Sequence, residues 1–256
     1  MSSRTVADTA FSIAAVRAAE AGRPPAERLF EDPFAPLFAA VGAHAAESTQ
    51  RYLDLPFFYD GVRLRTRYID DAVRAGLASG LDQVVLLGAG FDARGLRMPE
   101  IAARDAIVYE IDTEEQLARK RKALEDAGVE IPARVRFVPF DFDRDDFESA
   151  LGAELGASGF RRGEGAIFVW EGVIGYIGND AIDRSLRFMA STGGPRTRVV
   201  FTFSEHTFAP ATPAEHTRRL GFTSCEELGG DELWRRYLAG DPYEHAFVMK
   251  VATAIV

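Results

Sequence analysis

The residues with the most chemistry in this chain lie where the apolar run Val84-Val85-Leu86-Leu87 meets Gly88-Ala89-Gly90, with Val108-Tyr109-Glu110-Ile111-Asp112 some twenty residues further on. Glycines at 88 and 90 let the backbone turn sharply and approach a ligand with no Cβ in the way. Glu110 and Asp112, at the end of a second apolar run, supply acceptors for the hydroxyls of a ribose. A nucleoside cofactor is the chemistry this spacing fits. Gly88-x-Gly90-x-x-Ala93 also satisfies the relaxed dinucleotide pattern, so NAD and S-adenosyl-L-methionine (SAM) compete for the turn.

Further polar residues favour SAM. Some eighty residues precede the turn, whereas a dinucleotide motif usually opens its domain. Arg63-Leu64-Arg65-Thr66-Arg67 within them offers guanidinium groups to the carboxylate of an amino-acid moiety. The competing reading of that cluster is a solvated helix face paired with Asp70 and Asp71. Pro139-Phe140-Asp141-Phe142 closes a third apolar run with an acid and an aromatic, suited to an adenine amino group and ring face. Trp170-Glu171-Gly172 closes a fourth with a carboxylate that can meet the cofactor's ammonium or the substrate. Such a carboxylate, buried without a partner, would be costly. Asp92 and Arg94 are expected to pair and stiffen the glycine turn.

A sulfonium methyl moves by in-line displacement, so alignment can supply roughly 7–11 kcal/mol of barrier lowering. A carboxylate acceptor is already ionised at neutral pH and needs no base, whereas a phenol or alcohol does. The histidines are His44, His206, His216 and His245, and none forms a recognisable base-plus-orienter pattern in the sequence, which favours a carboxylate. His206, just past the fifth apolar run, is the one catalytic candidate. Phe11, Phe57, Phe58, Tyr59 and Tyr176 could form an aromatic acceptor wall or simply pack a cap onto a sheet. Cys225, beside Glu226 and Glu227, reads as inert.

The elements that position these residues follow from periodicity. Helices are expected over Thr9–Arg17, stopped by Gly22-Arg23-Pro24-Pro25, after Phe30-Glu31-Asp32-Pro33-Phe34-Ala35, and over Thr66–Leu77 with a stop at Gly80. Strands are expected at 83–88, 106–111, 134–140, 166–171 and 197–203, alternating with helices at 114–127, 144–155 and 179–191. That alternation implies parallel pairing with right-handed crossovers. A short strand near 221–223, a helix at 227–239 and a final strand ending at Val256, inserted antiparallel, complete the pattern. Residues 1–256 read as one unit, with a helical cap over 1–80 and an α/β core over 81–256.

Composition excludes several classes. At 256 residues, 47% hydrophobic and 27% charged, the chain is globular in character. A formal charge of −9 argues against a sequence-independent grip on nucleic acid. A single cysteine rules out an internal disulfide and a cysteine-based zinc cluster. No apolar run approaches the roughly 18 residues of a membrane span, and no secretory signal pattern opens the chain, so no membrane partner and a cytoplasmic location are expected. The oligomeric state has no signature in the sequence.

Five ordered motifs resemble the leucine carboxyl methyltransferase-like family of SAM-dependent O-methyltransferases, which includes bacterial and polyketide carboxyl methyltransferases. They are Leu29-Phe30-Glu31-Asp32-Pro33, Arg65-Thr66-Arg67-Tyr68-Ile69-Asp70-Asp71, Leu87 to Arg94, Tyr109 to Asp112, and Glu171-Gly172-Val173-Ile174-Gly175-Tyr176-Ile177. The resemblance implies a Rossmann-like class I methyltransferase: a seven-stranded, mostly parallel sheet with an antiparallel last strand under an N-terminal helical cap. It implies Arg65 on the SAM carboxylate and Gly88, Ala89 and Gly90 along the methionine and ribose. It implies Asp112 with Glu110 on the ribose, Asp141 and Phe142 on adenine, and Glu171 toward the amino group. The expected function is methylation of a carboxylate on a small metabolite such as a polyketide or other natural product, releasing S-adenosyl-L-homocysteine (SAH). A phenolic or alcoholic acceptor, an NAD-dependent oxidoreductase and a non-catalytic SAM-binding protein are the alternatives. Family members usually carry a longer insertion where this chain has only 204–212, so the acceptor pocket is expected to be more open or closed by a partner subunit.

Overall fold

The computed structural model describes residues 3–42, 54–142, 144–242 and 249–256; the side chains of 3–9, 56, 57 and 249 fall outside that description. Three helices come first: α1 (Ser3–Glu20), α2 (Ala35–Val41) and α3 (Pro56–Ala78). Helix α3 begins ten residues before the expected Thr66. Pro56 occupies its first turn, where a missing N–H costs nothing. Its end is as read, at Ser79 with Gly80 at φ +91°.

Strand β1 (Gln83–Leu87) is followed by short helices α4 (Arg94–Arg97) and α5 (Pro99–Ala103), then by β2 (Ile107–Asp112), α6 (Glu114–Asp126), β3 (Val135–Pro139), α7 (Phe147–Ala157) and β4 (Ile167–Trp170). The 3₁₀ turn Ile174–Tyr176 leads into α8 (Asn179–Gly193), β5 (Arg198–Ser204), α9 (Pro213–Arg219), β6 (Ser224–Leu228), α10 (Gly230–Tyr237) and β7 (Met249–Ile255). One seven-stranded sheet results, in the order β3-β2-β1-β4-β5-β7-β6. Every described pairing is parallel except those of β7, which lies antiparallel between β5 and β6.

Alternation along the strands builds two cores. Val85, Leu87, Tyr109, Phe168, Trp170 and Phe201 pack under α7 and α8. Val84, Leu86, Val108, Ile167, Val169 and Val200 pack under α3 and α10. A third cluster joins the cap to the glycine turn, with Phe91 between Phe11 and Phe38 at 5.1 Å from each ring. The expected strand at 221–223 is instead a turn at Gly221, φ +102°, and the strand itself starts at Ser224. As an edge strand it alternates poorly: Glu226 and Glu227 are both exposed. Glu227 is therefore strand, not helix, and α10 starts three residues later than read. Among the described residues no helix is long and apolar enough to cross a membrane.

Candidate active site

Strand register brings the carboxyl ends of five strands together. Leu87 pairs with Ile111, Asp112 with Pro139, Leu86 with Val169, and Trp170 with Phe201. Ligands of open α/β sheets bind beyond such ends. Gly88 (φ +73°) and Gly90 (φ +51°) shape the turn after β1. The N–H groups of Gly88 and Ala89 both donate to the Ile111 carbonyl at 2.9 Å, and Gly90 donates to Asp112 Oδ2 at 2.7 Å. A Cβ on Gly88 would sit 2.6 Å from Val173 Cγ2, so this turn also touches the segment after β4. Asp112 accepts a second backbone bond from Thr113. Burial pushes its carboxyl up, with the Gly90 N–H opposing.

Glu171 sits at the centre of a buried ionic cluster, its side chain 8% exposed. It accepts from Arg17 at 2.8 Å, Arg65 at 2.9 Å and Arg94 at 2.9 Å. Burial alone would raise this carboxyl, but the guanidinium groups of Arg17, Arg94 and Arg65 hold it far below the usual carboxylate range. Arg94 also pairs with Asp92, as expected, and with Asp70; Arg97 pairs with Asp70 and Asp32. The connected cluster holds four guanidinium groups and four carboxylates.

The basic cluster on α3 divides its work. Arg65 joins Glu171, and burial pushes its guanidinium down. Arg63 is no solvated face: it is buried against Glu20 and Asp60, while Arg67 takes Asp71 at the half-exposed flank. Arg17, 154 residues from Glu171 in the chain, carries no local sequence signal that would mark it as a site residue.

The other expected residues lie in different settings. Glu110 is fully buried and bonded to Lys120 at 2.5 Å, so the structure does not bring it beside Asp112 as a ribose acceptor. Alternation puts Glu110 and Asp112 on the same face of β2, but Asp112 stands at the strand end beside the Gly90 turn whereas Glu110, one pleat further in, is taken up by Lys120. Phe11 is buried against Phe91 and belongs to the cap core rather than to an acceptor wall. The Tyr59 ring lies under Arg23 and Arg63, and Tyr176 is 39% exposed in the 3₁₀ turn. Asp141 is exposed beyond β3, and Phe142 packs edge-on to Phe140 at 5.6 Å. His44, His245 and the Phe57 side chain lie outside the described residues.

His206 is exposed in the turn after β5. A cavity of about 370 Å³ opens nearby, walled by α8, α9 and residues 207–211, and His216 rather than His206 lines it. His216 Nε2 lies 2.6 Å from Asp183 Oδ1, so a base-plus-orienter pair exists after all. The residues stand 33 apart on two helices, which is why spacing did not show it. Residues 207–211 of the short connection after β5 build one wall of this cavity.

A match to the leucine carboxyl methyltransferase family spans residues 10–190. The chain belongs to that family. A Mycobacterium bovis relative carrying the provisional name S-adenosyl-L-methionine-dependent methyltransferase is 35% identical, over 93% of this chain and 80% of its own length. Two solved structures share the fold at low identity. One is a DUF574 family protein of Streptomyces avermitilis (TM-score 0.58, 14% identity, 94% of this chain and 96% of that one). The other is a provisionally named methyltransferase of Thermobifida fusca (TM-score 0.53, 13% identity, 94% and 93%). The chain is thus a SAM-dependent methyltransferase of the leucine carboxyl methyltransferase family, and the dinucleotide reading of Gly88-x-Gly90 lapses.

The residues present fit this cofactor. A SAM amino-acid moiety is a zwitterion, and the Glu171 cluster offers both signs of charge in equal number. A turn with two positive-φ glycines and a carboxylate beside it suits a ribose.

Proposed function

We propose that the chain is an O-methyltransferase acting on an oxygen of a small metabolite, with a carboxylate of a polyketide or other natural product as the acceptor suggested by the family. The observation carrying the cofactor half of this reading is the Glu171 cluster beside the Gly88-x-Gly90 turn. When bound, SAM supplies an electrophilic methyl group. Arg65 holds its carboxylate, Glu171 its ammonium, Asp112 the ribose hydroxyls, and Asp141 with Phe142 the adenine. Arg17 and Arg94 keep Glu171 ionised and fixed. Arg65 suits its role because burial disfavours its charge, which an incoming carboxylate would support.

Isothermal titration of SAM, SAH and NAD tests the framework. Micromolar binding of the first two with none for NAD is expected, and Arg65→Ala should weaken both by tenfold or more, about 1.4 kcal/mol. Unchanged affinity in that variant would remove Arg65 from the site. A hydroxyl acceptor is the second reading, and one observation favours it: the His216–Asp183 pair removes the argument that no base is present.

A further inference from the structure

The cavity between α8 and α9 is not used by the cofactor residues assigned above. Its walls mix apolar surface from Ile182, Phe208 and Pro210 with the ionisable groups Asp183, Glu215, His216 and Arg219. Its volume of about 370 Å³ falls in the range of small-molecule sites, roughly 300–1,000 Å³. It also stands on the same strand ends as the ionic cluster. The Phe208 ring packs on Phe201 and Phe203 at 5.9 and 5.3 Å, and Phe201 pairs across the sheet with Trp170, the residue before Glu171. Gly172, the residue after Glu171, donates its N–H to Thr202 Oγ1 at 2.8 Å. The floor of the cavity and the Glu171 site are therefore tied by adjacent residues of β4 and β5.

Within this cavity His216 is both oriented and polarised. An ionised Asp183 can only accept, so it selects the tautomer in which Nε2 of His216 donates to it, and the neutral ring of that tautomer keeps a lone pair on Nδ1. The Phe208 ring lies 4.9 Å from the imidazole and limits its rotation. A base held by a carboxylate, in a cavity where the Phe208 ring offers a stacking face at the carboxyl ends of the strands, is what a neutral aromatic hydroxyl requires.

We infer that this cavity is the acceptor site, that it takes a small hydroxylated aromatic, and that His216 is the general base, with Asp183 as its positioning residue. The inference rests on the O-methyltransferase reading and takes its hydroxyl branch. In the step, Nδ1 of His216 takes the hydroxyl proton as the acceptor oxygen forms its bond to the methyl carbon. The carbon–sulfur bond of SAM breaks, and its electron pair stays on sulfur as SAH. The imidazolium then returns its proton to solvent. Mass and charge balance without any further reactant.

The test uses 4-nitrophenol, whose phenolate has its own visible absorbance, added to the full chain loaded with SAH just below the probe's own titration midpoint. SAH binding is measured first, by calorimetry. Failure there would count against the cofactor framework, a result separate from anything the probe reports. With SAH bound, the wild type is expected to raise the phenolate fraction of the probe. His216→Gln should abolish that rise while retaining SAH binding, and Asp183→Asn should reduce it. A purely structural strut between α8 and α9 would not move this absorbance. In turnover with SAM, His216→Gln should lower methylation of the phenol by roughly 10²-fold or more. No probe binding by the SAH complex, or equal phenolate absorbance in wild type and His216→Gln, would overturn the assignment. So would methylation of aromatic carboxylates lacking a hydroxyl at a rate His216→Gln leaves unchanged.

Discussion

Glu171 shows how a single carboxylate can be both structural and chemical. Three guanidinium groups meet it in a space almost closed to water, so removing its charge would take this counter-charge from Arg17 and Arg65, while Arg94 would keep Asp70 and Asp92. Breaking a buried pair by deleting one partner costs about 3–5 kcal/mol. Glu171→Gln is expected to lose stability on that scale in urea unfolding and to bind SAM far more weakly. Glu110 and Asp112 separate the two roles. Glu110→Gln leaves Lys120 buried without its counter-charge, so a fall in melting temperature with SAH affinity close to wild type is expected. Asp112→Asn keeps one amide oxygen for the Gly90 N–H, so it should fold well yet bind SAH less tightly, as calorimetry of both variants would show. The reverse pattern would return Glu110 to the ribose. At this scale the sequence exposes residues that end strands, because a glycine turn or acid after an apolar run is a local signal. Arg17 and Asp183 become functional only through contacts 154 and 33 residues away, and no local pattern encodes those.

Helix α3 is the element on which the site depends most, since a single buried side carries Arg65, Thr66 and Asp70 together with the core residues Ile69, Val73 and Leu77. It lies very close to β4. A Cβ on Gly76 would stand 2.5 Å from Ile167 Cδ1 and 2.6 Å from its Cγ1. Gly76→Ala is therefore expected to destabilise by about 1–3 kcal/mol through overpacking, despite the better helix propensity of alanine. Ile167→Val removes the Cδ1 contact and should recover part of that loss in the double variant. Additive losses in urea melts would place the strain elsewhere. The core face and the end of α3 are legible because i, i+4 spacing and Gly80 mark them. Its first two turns are not, because aromatic residues and Gly61 there carry little helix signal. The buried strands β1, β2, β4 and β5 read clearly as apolar runs, while edge strand β6, with two exposed glutamates, does not.

Over the whole molecule, buried carboxylates of opposite character set the response to acid. Glu171 and Asp70 are held below their ordinary values by guanidinium groups, although burial opposes this. Each is more easily ionised folded than unfolded, so it adds stability at neutral pH. That contribution fades as pH falls below the unfolded value, about 4, toward the folded one. Asp32, Glu110 and Asp112 are pushed up by burial, so their ionisation opposes folding at neutral pH, and that cost eases on mild acidification. The two groups act in different windows. Stability should hold or rise slightly from neutrality down toward pH 5 and fall steeply only below about pH 4. Glu171→Gln, lacking the most strongly depressed group, should begin lower and lose less across the acid limb, as melting temperatures measured from pH 7 to pH 3 would reveal. A parallel decline in the two proteins would mean that the acid sensitivity comes from surface carboxylates and that the ionic cluster contributes little to it.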